Sequence, residues 1–216
     1  MRDTGPDLSN TDSDFDFEGT DFDGEDFSDA TFAGETWQHR NYTGCTFRDT
    51  DMSNLVTESV TFTDCDFTGA DLTGSQHSGS AFRNCHFEYT RMWDSTFRHS
   101  SFMGSVIRES RIRPLTLEEV DFTLASLGEI DLRGVDLSGC RLREANLVKA
   151  DLRKAILRGA DLTGARTGDL RLDDADLEGA RVDAALWTSA RLTGARIEMH
   201  QAVSYAAANG LRVAGH

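Results

Sequence analysis

Ala145-Asn146-Leu147-Val148-Lys149, Ala150-Asp151-Leu152-Arg153-Lys154, Ala155-Ile156-Leu157-Arg158-Gly159 and Ala160-Asp161-Leu162-Thr163-Gly164 are four consecutive copies of one five-residue unit. Each opens with Ala and places Leu third, and in three of the four Asp or Asn stands between them. A five-residue period belongs neither to a helix, whose faces recur every 3.6 residues, nor to a strand, whose faces recur every two.

Reading every fifth residue outward from Leu147 extends the period over most of the chain. Toward the N-terminus it gives Leu142, Leu137, Leu132, Leu127, Phe122, Leu117, Ile112, Ile107, Phe102, Phe97, Met92, Phe87 and Phe82, and it runs on to Phe17. Toward the C-terminus it runs through Leu172, Leu177, Val182, Trp187 and Leu192 to Ile197. Only Thr57, His77 and Thr167 depart from large apolar residues, and 12 of the 13 phenylalanines lie in this register. Two residues before the large residue stands a second register that is mostly small, such as Cys45, Ala70, Ser95 or Ala150. Two residues after it, the register holds 14 of the 19 glycines.

A chain that keeps two inward positions in every five must turn a corner every five residues. Four corners close a coil of 20, and coils stack like β-strands about 4.8 Å apart, with each coil bonding its neighbours. The expected fold is an all-β solenoid, a right-handed quadrilateral β-helix of pentapeptide repeats with a short C-terminal α-helix. Residues 1–14 form an acidic leader or N-terminal edge, 15–197 the β-helix, and 198–216 a C-terminal helix and tail. The register stays in phase through Arg113-Pro114-Leu115, with Pro114 on a turn position, so no interruption is expected within about nine coils, a rod of roughly 43 Å.

The chain has 216 residues, 38% of them apolar, and a net charge of −15. Its four cysteines are too few for a disulfide scaffold. No apolar run approaches the roughly 20 residues of a membrane helix, so the expectation is a cytoplasmic protein with no membrane partner. The charge argues against direct binding of nucleic acid and favours a basic partner.

Cys45, Cys65 and Cys85 recur at 20 residues, but in the small inward register, where Ala and Ser also stand. They read as structural, without the spacing of a zinc site. His77 occupies a large inward slot and reads as a hydrogen-bonded core residue. With no phosphate loop, nucleophile elbow or cleft in a filled rod, the chain reads as a non-enzyme without cofactor or metal.

Asp51, Asp71, Asp131 and Asp151 are among twelve aspartates just before a large residue, where short carboxylates bond the local backbone of turns. Folding at 20 residues per coil puts Asp29, Asp49, Glu109, Glu129 and Asp169 in one outward column, with Gly69, Tyr89 and Lys149 between them. The nine residues together form the expected partner-binding acidic stripe. Arg113, Arg133 and Arg153 form a column of the opposite sign, read as solvated ion pairs. After Ile197, residues Met199, Ala202, Val203 and Ala206 recur at helical spacing before Gly210. Ile197, Met199, Ala202, Val203, Tyr205, Ala206, Leu211 and Val213 are the expected interface of a homodimer.

These repeats resemble the pentapeptide-repeat family. Gly74-Ser75-Gln76-His77-Ser78-Gly79-Ser80-Ala81-Phe82-Arg83-Asn84-Cys85-His86-Phe87, Arg111-Ile112-Arg113-Pro114-Leu115-Thr116-Leu117, Gly139-Cys140-Arg141-Leu142-Arg143-Glu144 and Gln201-Ala202-Val203-Ser204-Tyr205-Ala206-Ala207-Ala208 further resemble its mycobacterial fluoroquinolone-resistance branch, the Qnr-like DNA mimics. The resemblance implies a homodimer joined through the C-terminal helix that mimics duplex DNA, binds DNA gyrase, modulates its supercoiling and protects it from quinolones. Residues 1–35, an acidic extension, depart from that branch. A non-catalytic dimeric scaffold with a different partner remains the alternative reading.

Overall fold

In the computed structural model, residues 21–214 are described, so the acidic leader 1–14 and the first register residue, Phe17, lie outside the described residues. Eleven short strands run β1 (Asp21–Asp23), β2 (Thr36–Gln38), β3 (Asn41–Thr43), β4 (Val56–Glu58), β5 (Thr61–Thr63), β6 (Gln76–Ser78), β7 (Ala81–Arg83), β8 (His86–Glu88), β9 (Ser95–Arg98), β10 (Val106–Arg108) and β11 (Leu115–Glu118). Two helices follow, α1 (Ala184–Ser189) and α2 (Met199–Ala208).

All strand pairs are parallel and offset by 20 residues, as in Asp21 with Asn41 and Thr61 with Ala81. One face is the sheet β1-β3-β5-β7, another is β2-β4-β6-β9-β11, and a third carries β8-β10. Beyond β7 the first face continues in the same register as single bridges through Ser101, Asp121, Arg141 and Asp161 to Arg181. The molecule is therefore a four-sided parallel β-solenoid, the fold expected from the period.

The large register fills its axis. Phe22, Tyr42, Phe62, Phe82, Phe102 and Phe122 stack ring over ring, with successive centroids 4.7, 5.0, 4.9, 5.0 and 5.4 Å apart and planes within 12° of parallel. A second stack runs Phe27, Phe47, Phe67 and Phe87 at 5.1, 5.0 and 4.8 Å. These spacings match the strand-to-strand distance of a sheet, so stacked rings and bonded backbones share one pitch.

The small register has a bonding role that size alone does not reveal. Thr50, Thr90, Ser95, Ser105 and Ser110 hydroxyls donate to the carbonyls of Phe27, Phe67, Leu72, Phe82 and Phe87, each 23 residues earlier, at 2.6–3.1 Å. The buried thiols of Cys65 and Cys85 make the same contact to Tyr42 and Phe62. Burial pushes the Cys85 thiol up and the Cys140 thiol up to about 11, so neither supplies a thiolate at neutral pH.

The third register explains itself in the backbone. From Gly24 to Gly179 its residues other than Pro114 take the left-handed conformation, whether Gly104 (φ 69°) or Asp49 (φ 54°). Where Gly follows an Asx residue one coil earlier, the earlier side chain lies across the glycine, as Asn84 does over Gly104 and Asp174 over Gly194. Glycine thus serves both the positive φ and the space.

Two features depart from the unbroken rod. The bridge ladders lapse between Arg111 and Asp131 and between Thr116 and Asp136, beside Pro114. The segment expected to coil without interruption to Ile197 instead winds into α1. There Leu186 and Trp187 are buried, so the helix satisfies the inward register with a different backbone. The five-residue count survives this change, which is why the period conceals it.

Candidate functional site

Ten of the eleven described aspartates just before a large residue are structural, while Asp21 instead accepts from the Asn41 side-chain amide at 2.8 Å. Each of Asp26, Asp51, Asp66, Asp71, Asp121, Asp131, Asp136, Asp151, Asp161 and Asp176 accepts from the backbone N–H two residues on. This is the local turn bonding their position predicts. Asp71, Asp131 and Asp151 are also ion-paired, to Arg91 at 2.9 Å, to Arg113 and Arg133 at 2.6 and 2.7 Å, and to Arg153 at 2.7 Å. The Arg133 side-chain hydrogen bond holds the Asp131 carboxyl down at about 2, against its partial desolvation. This inner column is half-buried and largely neutralised.

The outer column differs. Asp29, Asp49, Glu109, Glu129 and Asp169 all take positive φ, between 51° and 62°, at one corner of the rod, and all five are exposed. Among the described residues only Glu129 has an ion pair, with Lys149 at 3.3 Å. The corner carries five acids against that one lysine. The other three corner columns carry two acids at most, namely Asp64 and Glu144, Asp94 and Asp174, and Glu119 alone. The structure therefore separates the nine stripe residues into a corner column in which only Glu129 is paired and an inner column used for turn bonds and ion pairs.

The C-terminal end is apolar. Gln201, buried on α2, donates from its amide to the carbonyls of Leu177 and Ala180, both at 2.8 Å, and so satisfies acceptors that a further coil would otherwise meet. Its carbonyl accepts from the Glu198 N–H, completing a capping box. Gln201 escaped the sequence reading; the Glu198-x-x-Gln201 spacing was its signal. Tyr205 meets Trp187 edge to face at 6.0 Å, tying α2 to α1. A groove of about 410 Å³ opens between Trp187, Leu192, Ile197 and Tyr205. Beside it Met199, Val203, Leu211 and Val213 are exposed, while Ala202 and Ala206 are half-buried. Among the described residues no group of three or more His, Cys, Asp or Glu side chains is placed to hold a metal ion. No helix among them is long and apolar enough to cross a membrane.

A filled, four-sided solenoid built on one five-residue unit defines the class, a pentapeptide-repeat solenoid whose repeats match the models of the pentapeptide-repeat family over part of the chain. Family models described as pentapeptide repeats match residues 41–76, 130–166 and 62–106. Among individual proteins, it is similar to the pentapeptide repeat protein MfpA of Mycobacterium tuberculosis, 59% identical over 100 residues. That match covers 46% of this chain and 55% of MfpA, so it spans little more than half of the relative. In structure it resembles a trypsin-treated variant of QnrB1, described as a plasmid-mediated fluoroquinolone resistance protein, with a TM-score of 0.67 and 19% identity over 91% of this chain and 98% of that one. Full-length QnrB1 matches with a TM-score of 0.60 and 17% identity, over 89% and 99% of the two chains. At these identities the QnrB1 likeness establishes the fold.

Proposed function

We propose that this protein is a cytoplasmic DNA mimic that binds DNA gyrase, modulates its activity and protects it from quinolone-type inhibitors, acting as a homodimer joined through α2. The observation that carries the reading is the exposed acidic corner, Asp29, Asp49, Glu109, Glu129 and Asp169, on a straight filled rod. Coils about 4.8 Å apart give at most one corner charge per coil, against one per roughly 1.7 Å in duplex DNA. A groove built for phosphates thus finds the right sign and shape at lower charge density, and salt weakens the attraction. The similarity to MfpA supports the choice of gyrase, and the exposed apolar residues of α2 and the tail support the dimer.

The test is a supercoiling and quinolone-cleavage assay with cognate gyrase, alongside binding measured at low and high salt. The native chain is expected to bind at low salt, lose affinity as salt rises, and reduce quinolone-stabilised cleavage. Replacing all five corner acids by Lys is expected to abolish binding while the rod stays folded, because the side chains are exposed. Failure to bind gyrase at low salt rejects the partner, and unchanged affinity in the variant rejects the corner as the contact. Recovery of a different protein in place of gyrase favours the scaffold reading.

A further inference from the structure

On a chain of net charge −15, one face of the C-terminal half is positive. Arg113, Arg133 and Arg153 stand on successive coils, and with Arg171 they surround just two carboxylates. Arg113 donates to Asp131 at 2.6 Å and to the Arg133 carbonyl at 2.8 Å. Arg133 grips Asp131 with two donors at 2.9 and 2.7 Å, and Arg153 grips Asp151 likewise at 2.8 and 2.7 Å. Arg171 reaches Asp151 at 3.3 Å, and its Nε is buried with no acceptor among the described residues. Counting Lys154, Arg191, Asp173 and Asp174, which line the same groove as these arginines, six cationic side chains face four carboxylates, a net excess of two positive charges.

The same residues line an open groove of about 670 Å³ that also takes in Lys154 and Arg191, neither of which has a side-chain partner among the described residues. Asp173 and Asp174 also line it, Asp173 acting on the Arg153 guanidinium and Asp174 folded over Gly194, so these two carboxylates join Asp131 and Asp151 against the six cationic side chains. Each guanidinium has five N–H donors and spends only some of them on its aspartate. The aspartates fix the forks in place, which removes most of the entropy cost of ordering them around a ligand. Like charges about one coil apart repel, and a multivalent anion seated across two rungs relieves that repulsion. Oxygens of a tetrahedral anion match the planar fork.

We propose that this groove binds a small multivalent oxyanion of the phosphate class, held by the Arg113, Arg133 and Arg153 forks and by Lys154 and Arg191. Such a ligand also covers the positive face beside the acidic corner, so an occupied rod presents negative charge more continuously. The binding itself does not depend on gyrase.

The test is calorimetric titration of pyrophosphate into the full chain alone, at pH 7.5, with sodium chloride at matched ionic strength as the blank. Inorganic phosphate and a nucleoside triphosphate form parallel arms that distinguish a free anion from a nucleotide as the source. One saturable site per chain is expected, tighter for pyrophosphate than for phosphate. Arg133→Gln with Arg153→Gln is expected to weaken binding at least tenfold, while Arg83→Gln with Arg143→Gln, on the opposite face, leaves it unchanged. Lys154→Gln with Arg191→Gln removes no bond of the folded chain and is expected to weaken binding severalfold, which decides the matter if the first pair does not fold. Heat no greater than the salt blank, or an affinity that both groove variants leave intact, overturns the proposal.

Discussion

His77 sits in the core where its neighbours in the same column are Thr57 and Phe97, and it is expected to make the rod less stable in acid. Its Nδ1 lies 2.7 Å from the Thr57 hydroxyl and its Nε2 2.9 Å from that of Ser75, while the ring stacks on Phe97 at 4.7 Å. Both hydroxyls serve a neutral ring, and desolvation pushes its pKa from 6.5 down to about 3. Because the folded pKa lies below the unfolded one, only the unfolded chain takes up this proton between those values. Stability therefore falls as pH falls from about 6.5 toward 3. At pH 5.0 the unfolded state gains about 2 kcal/mol from protonation, against about 0.1 kcal/mol at pH 7.5. For a chain of this size that lowers the melting temperature by about 4–8 °C. In His77→Phe, Thr57 keeps its bond to Ser80 and Ser75 its bond to Ser95, so both hydroxyls stay satisfied. Melting followed by circular dichroism at pH 7.5 and 5.0 compares the two chains. The native chain is expected to lose those degrees and the variant to keep most of them. Equal losses in both would refute the assignment of the acid sensitivity to this ring.

Leu124 takes φ 61° and is 56% exposed, so Leu124→Gly is expected to stabilise the rod by about 0.5–1 kcal/mol, read from denaturant midpoints. At Gly104 an added methyl meets the Asn84 amide, whereas at Gly134 it meets nothing within 4 Å. Both Gly→Ala variants pay for the left-handed backbone, about 1 kcal/mol, and Gly104→Ala is expected to lose more; equal losses show that Asn84 yields freely. Val203→Glu with Ala206→Glu is expected to give monomers with an unchanged far-ultraviolet spectrum, and a dimer mass by light scattering rejects α2 as the interface.

The five-residue period by itself determined the solenoid, the inward registers and the corner that glycine favours. A repeat in which each unit touches only its neighbours writes its contacts into the sequence at a constant offset, here 20 residues. That offset also placed Asp29, Asp49, Glu109, Glu129 and Asp169 on one corner and Arg113, Arg133 and Arg153 in one column. It did not tell which charges were spent. Asp131 and Asp151 look like Asp29 in a count of acids, yet only the folded structure brings four arginines onto them and leaves the corner column only the Glu129 pair among the described residues, because side-chain pairing depends on reach and rotamer rather than register. The same holds at the C-terminal end. Trp187 keeps the count while its backbone winds into α1, and Gln201 caps carbonyls from residues more than twenty positions earlier. A period fixes where a side chain points along the rod; the end of the rod has no next coil, so its polar groups find partners that only tertiary packing selects.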